Sequence, residues 1–167
     1  MNRLSNEEIL EILRKRFDAD ILTADEPAGM LTLTVDKNKA HDIIAYLYTD
    51  SLGFQFMTDL CGVHYPEQKG AELGVVYHLH SLQTNKRIRI KTFVPSDKPS
   101  LPTVTDIFST ANWMERETYD FFGIIFEGHP NLKRILNMDE MVDFPLRKEF
   151  PLEDPLRTDK DDKMFGR

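Results

Sequence analysis

Thiols are nearly absent from this chain: one cysteine, Cys61, stands among 167 residues. A lone cysteine closes no internal disulfide, and a typical iron–sulfur cluster takes four thiolates. The expectation is a cytosolic chain that binds no cluster. Positive charge is scarce too. The 21 Lys and Arg face 28 Asp and Glu, leaving a net charge of −7. A nucleic-acid binder shows the opposite balance and a concentrated basic patch, so nucleic acid is not an expected partner. A local basic face that meets an acidic protein remains compatible with the total. Long apolar runs are missing as well. Ile43–Tyr48, and Phe121–Phe126 with Gly123 inside it, fall far short of the ~20 residues that span a bilayer. Met1 to Leu13 mixes charged and apolar residues and lacks the apolar stretch of a signal peptide. Membrane association is therefore expected only through partners. No Gly-rich phosphate loop precedes a helix, no GxSxG elbow occurs, and nothing resembles a flavin or nicotinamide loop.

What is present belongs to one globular domain: 41% apolar and 29% charged residues. Ser5 followed by Glu8 has the spacing of a capping box, and Ile9, Leu10, Ile12, Leu13 and Phe17 follow at helical intervals. Ile21–Thr23 and Met30–Val35 read as short strands joined through Pro27 and Gly29. Asn38 is placed to cap a second helix with an apolar face of Ala40, Ile43, Ile44, Leu47 and Tyr48. Three strands follow, Phe54–Val63, Glu72–Ser81 and Arg87–Val94. The last sets Ile88, Ile90 and Thr92 against Arg87, Arg89 and Lys91, the alternation of a strand with one wet face. Pro95, Pro99 and Pro102 mark an extended connector, and a third helix is predicted from Thr105 to Tyr119 or Phe122, ended by Gly123. Beyond it, prolines recur at 130, 145, 151 and 155 without an amphipathic pattern. The predicted class is α+β: a largely antiparallel sheet packed by helices over residues 1–122, then an extended C-terminal arm over residues 123–167.

Several residues admit a chemical reading beside an ordinary one. Cys61-x-x-His64 with His78-x-His80 has the donors of a zinc site, yet histidines on a wet strand face and a small core cysteine give the same pattern. Glu115-Arg116-Glu117 and Asp120 could be a solvated helix face with an Arg116–Asp120 pair at i,i+4. Glu117 and Asp120, with His129, could instead act as acid and base in a free-standing enzyme. The crowd of Trp113, Tyr119, Phe121 and Phe122 around these carboxylates favours a docking surface or a backbone anchor. His129, between Gly128 and Pro130, reads as the holder of a sharp turn. Lys133-Arg134 and Arg147-Lys148 are either solvated or paired with acids on another protein.

Three segments then carry a resemblance. Ala111 to Ile124 (ANWMERETYDFFGI), Phe126 to Leu136 (FEGHPNLKRIL) and Phe144 to Leu152 (FPLRKEFPL) resemble, in order, the signature of the C subunit of the respiratory NADH-quinone oxidoreductase, complex I. Tyr77 to Ser81 and Arg87 to Lys91 look like that family's paired strands. Asn131, Lys133, Glu149 and His64 depart from residues frequent in the family, which bears on ion pairing and not on the family itself. The resemblance implies a peripheral-arm subunit with a structural or assembly role in electron transfer from NADH to quinone, in a complex that translocates protons. It implies that FMN and iron–sulfur clusters are held by other subunits and that this chain has no catalytic, cofactor-binding or metal residues. Partners would be subunits B and D, which form the quinone site, and other hydrophilic-arm subunits, at the cytoplasmic face of the plasma membrane. Motif and interface residues would be Trp113, Glu115, Arg116, Glu117, Asp120, Gly123, Gly128, His129, Pro130, Arg134, Arg147 and Lys148. Arg134 and Arg147 are expected to form charge-assisted hydrogen bonds across the interface, and the tail after Phe150 to run toward the D subunit. The equivalent subunit of a membrane-bound hydrogenase or an NDH-type complex is the alternative.

Overall fold

The computed structural model describes residues 4–49 and 51–150. The expected tail contact after Phe150 lies outside them. Helix α1, Asn6–Phe17, opens with the capping box: the Ser5 hydroxyl accepts from the Glu8 amide, and the Glu8 carboxylate accepts from the Ser5 amide. Acids in its first turn and bases in its last complement the helix dipole. Strands β1 (Ile21–Asp25) and β2 (Leu31–Val35) form the expected antiparallel hairpin across a short turn at Pro27–Gly29. Helix α2, Ala40–Tyr48, starts later than Asn38 predicts. The Asp36 side chain accepts both the backbone amide and the side-chain amide of Asn38. Asn38 is thereby consumed in an aspartate turn, and the helix begins two residues on.

Strands β3 (Phe56–His64), β4 (Leu73–Ser81) and β5 (Lys86–Val94) complete a sheet in the order β1-β2-β5-β4-β3. Every pair is antiparallel except β2 with β5, which is parallel. One face of the sheet, carrying Leu33, Ile88, Ile90, Leu73, Val75, Tyr77 and Leu60, joins the buried residues of all three helices in a single core. Among the described residues, the opposite face carries no helix residue of that core.

The Pro95–Pro102 stretch is more ordered than a connector. Ser100–Pro102 forms β6, which pairs in parallel with β7, Ile125–Glu127. Pro102 is tolerated because the pair has open edges. Ile124 and Phe126 are buried in the core, so the folded body continues past Phe122 to about residue 127. Helix α3, Ala111–Phe122, is shorter than predicted. Residues 104–110 form turns instead, and the Glu115 carboxylate accepts the Val104 amide that precedes them.

Packing of α3 on β3 depends on Gly62. A Cβ there would fall inside the van der Waals envelope of the buried Phe122 ring. Gly62→Ala is expected to lose about 1–3 kcal/mol by overpacking, read as a lower midpoint in urea with an unchanged slope. An unchanged midpoint would mean that α3 is not seated against this strand.

Candidate functional site

The residues singled out by sequence gather where the end of α3 meets the chain from 128 to 150. Asp120 is their hub. Its carboxylate is fully buried and accepts from the backbone amides of Ile135, Leu136 and Asn137 at 3.1, 2.8 and 3.0 Å. The Asn137 side chain adds a bond at 3.1 Å and the Arg134 guanidinium one at 2.8 Å. Burial alone would raise its pKa. The amides of Asn137 and Leu136 and the Arg134 side chain outweigh that and hold the carboxyl well below the usual range.

Arg134 does as much from the other side. It donates to the carbonyls of Asp120, Met141 and Asp143 and lies over the Phe144 ring. Arg116, which helical spacing also offers to Asp120, instead donates to the carbonyls of Lys133 and Arg134 while stacking on Trp113. The reason is geometric: Asp120 is already saturated by the arm. Arg147 also turns inward, donating to the Phe122 carbonyl at 2.7 Å and covering Phe144. Arg134 and Arg147, expected to reach across to another protein, both fasten the arm to its own body. Carbonyls left open at the end of α3 are what they find there.

Gly123 closes α3 in the left-handed conformation, φ +74°, and the Phe144 ring occupies the space a side chain would need. His129 bridges the Asn112 carbonyl and the Asn131 amide, the turn-holding role read from Gly128 and Pro130. Lys148 contributes its backbone: its amide donates to Nδ1 of buried His64, and its ammonium lies over the Tyr65 ring. The Glu149 carboxylate approaches the same ring nitrogen at 3.3 Å.

Glu115 forms a second anchor at the start of α3. It is fully buried and meets the Thr103 hydroxyl at 2.5 Å and the Val104 amide at 2.8 Å. Burial pushes its carboxyl up to about 7, partly offset by those two bonds. Glu117 is exposed, and Asp120 has no free lone pair facing a cleft. With the Asp120 oxygens taken up by the arm, the acid/base pairing of Glu117, Asp120 and His129 loses its middle member. The zinc reading fares similarly. His78 accepts from Arg89 at 2.8 Å, His80 contacts Asn85, and His64 is held by Lys148. Among the described residues no three His, Cys, Asp or Glu converge as metal ligands.

What these bonds leave outside is apolar. Trp113 is 63% exposed, Met138 74% and Val142 85%, with Leu136 and Leu146 also open. The backbone beneath is irregular yet tied down by the Asp120 and Arg134 bonds. It is a fixed surface, not a cleft. Among the described residues, no helix is long and apolar enough to cross a membrane.

Residues 33–156 match the family described as the 30 kDa subunit of the respiratory-chain NADH dehydrogenase. The C subunit of NADH-quinone oxidoreductase from Geobacter metallireducens is 40% identical over 145 residues, 87% of this chain and 89% of that one. Its counterpart in Mycolicibacterium gilvum is 45% identical over 123 residues, covering 73% of this chain and 54% of the longer relative. Two solved structures share the fold. A trypsin-resistant fragment of Nqo5, residues 1–134, superposes with a TM-score of 0.65 at 34% identity, covering 75% of this chain and 98% of the fragment. A chain of the archaeal membrane-bound sulfane sulfur reductase, described as a respiratory membrane complex, gives 0.73 at 29% identity, covering 87% and 85%.

Proposed function

This chain belongs to the family of the respiratory-chain NADH dehydrogenase 30 kDa subunit, whose curated members are C subunits of NADH-quinone oxidoreductase, and from that premise we propose that it works as a docking subunit of the complex rather than at its redox centres. It is a subunit of a multisubunit oxidoreductase. In the proposed reading the complex carries electrons from NADH to quinone, and FMN and the iron–sulfur clusters belong to other subunits. The chain itself performs no chemical step. It seats against subunits B and D at the cytoplasmic face of the membrane.

The observation that carries this is the pinned apolar surface on α3 and the arm. Five large apolar side chains, Trp113, Leu136, Met138, Val142 and Leu146, stand exposed on backbone that the chain has fixed with many of its own hydrogen bonds. Such side chains gain by being covered by a partner, and a fixed backbone lowers the entropy lost on docking. Support for the absence of cofactors comes from the donor set: one cysteine, and five histidines each already engaged with protein groups. The equivalent subunit of a related membrane complex is the second reading, favoured by the fold shared with the sulfane sulfur reductase chain at 29% identity. The 40% identity to the Geobacter metallireducens protein weighs for the first.

The test is a Leu136→Asp/Val142→Asp double variant in cells. Both residues are exposed, so the melting temperature of the free chain is expected to hold while recovery of the assembled complex falls about tenfold or more. Quinone reductase activity per remaining complex should stay near normal. Full assembly with collapsed turnover would place these residues in the chemistry and end the docking reading.

A further inference from the structure

The sheet face turned away from the helices has a charge pattern that the core does not explain. Side chains alternate along β5, so Arg87, Arg89 and Lys91 all point to this face, and β5 is the central strand of the five. Spacing of alternate residues puts successive cations roughly 7 Å apart. Cross-strand neighbours on the same face are Thr32 and Thr34 on β2 and Val76, His78 and His80 on β4. Among the described residues, the strands bring carboxylates to this face only at its margins: Asp59 on edge strand β3 and Asp25 on edge strand β1. Asp59 is directed to His78, 3.7 Å away. Among the described residues, none of Arg87, Arg89 and Lys91 has an ion-pair partner. Arg89 and Lys91 are also half-buried, so their charge is only partly relieved by water.

Cations two residues apart along one strand repel one another, more so where water is partly excluded. In a chain of net charge −7 such a row is not a by-product of composition. Solvation of an antiparallel face requires polar residues of either sign, and mixed signs would serve it better. Here the acids are segregated to the edges and the bases to the middle.

We propose that this face is a second docking surface, distinct from the apolar one on α3 and the arm, and that it receives a carboxylate-rich surface of another subunit of the same complex. It rests on the reading of the chain as a docking subunit. The occupant's acids would lie over Arg89 and Lys91, with the half-buried Phe93 supplying apolar contact beside them. Arg89 is preset for this: its Nε donates to His78 Nε2 at 2.8 Å, which steadies the guanidinium and leaves its other nitrogens to a partner. Complementary charge of this kind fixes orientation and speeds encounter more than it adds affinity.

The experiment places a photo-crosslinking amino acid at Lys91 in cells carrying the full complex, with a parallel insertion at Leu136. Expected at Lys91 is a crosslink to a peptide rich in Asp and Glu from another subunit. Arg89→Glu/Lys91→Glu should lower recovered complex about tenfold and Arg89→Gln/Lys91→Gln much less, with the free chain folded as judged by its melting curve. Reversing an acid of the crosslinked peptide to Lys should restore the Glu variant. A Lys91 crosslink to residues 151–167 of this chain, or to a second copy of it, overturns the proposal. So does an intact complex with no Lys91 crosslink or unaffected by charge reversal. If Leu136 crosslinks and Lys91 does not, the sheet-face proposal alone fails. If neither does, the docking function itself fails.

Discussion

Asp120→Ala is expected to release the segment from about 130 to 147 while the sheet and helices stay folded. The substitution strips acceptors from three backbone amides, the Asn137 side chain and Arg134 in one step. Breaking a buried pair while its cation stays behind costs about 3–5 kcal/mol. Orphaned amides add to that, although the loosened arm recovers some hydration. Limited proteolysis of the free chain should cut between Leu132 and Leu146 in the variant and spare the wild type. Assembled complex should fall further than for any single surface change, because the apolar side chains lose the backbone that presents them. Acid should mimic the substitution. The Asp120 pKa is depressed in the folded chain, so its contribution is complete above the unfolded value near 4 and disappears as pH falls below it. Equal protease resistance of variant and wild type at pH 7 would show that Asp120 does not hold the arm.

Glu115→Gln is expected to act oppositely and in another pH range. The folded carboxyl titrates at about 7 against an ordinary value of 4.5. Between those values the folded chain keeps a proton that the unfolded chain has given up. Stability from this group is therefore greatest below pH 4.5 and declines as pH rises to 7, by about 3 kcal/mol in all. Gln keeps the shape. Its oxygen accepts from the Val104 amide, and its amide donates to the Thr103 oxygen, whose proton can pass to Thr105 at 2.9 Å. The variant should match the wild type near pH 4 and melt several degrees higher at pH 8. Parallel melting profiles across that range would mean that Glu115 is not titrating inside the fold. The Asp120 effect lies below pH 4, so the two can be read separately.

Local signals in the sequence suffice for the parts of the fold governed by neighbours a few residues away. The Ser5–Glu8 box, the alternation in β5 and the Gly123 stop each involve contacts within one turn or one strand. Asn38 misleads because its backbone and side-chain amides both donate to Asp36, which holds it in a turn ahead of the helix, and helical spacing carries no sign of that turn. Strands β6 and β7 are hidden for a different reason: three-residue strands have no period to detect, and Pro102 argues against one of them. The family motifs locate the site residues but not their roles. Arg116, Arg134 and Arg147 look like partner-seeking cations in one dimension. Only the chain's return past α3 shows that the groups they seek are carbonyls of their own molecule.

The parallel seam between β2 and β5 has a consequence for how the chain is made. Residues 31–34 must wait for residues 88–91, which leave the ribosome more than fifty positions later. The N-terminal hairpin and its two helices are complete as local structures well before then, yet one side of β2 has no neighbour. Contacts of such separation slow folding, and an unpaired strand edge invites the wrong partner meanwhile. The vulnerable interval in the life of this subunit is thus early in synthesis, when the first half of the molecule is formed and its central strand does not yet exist.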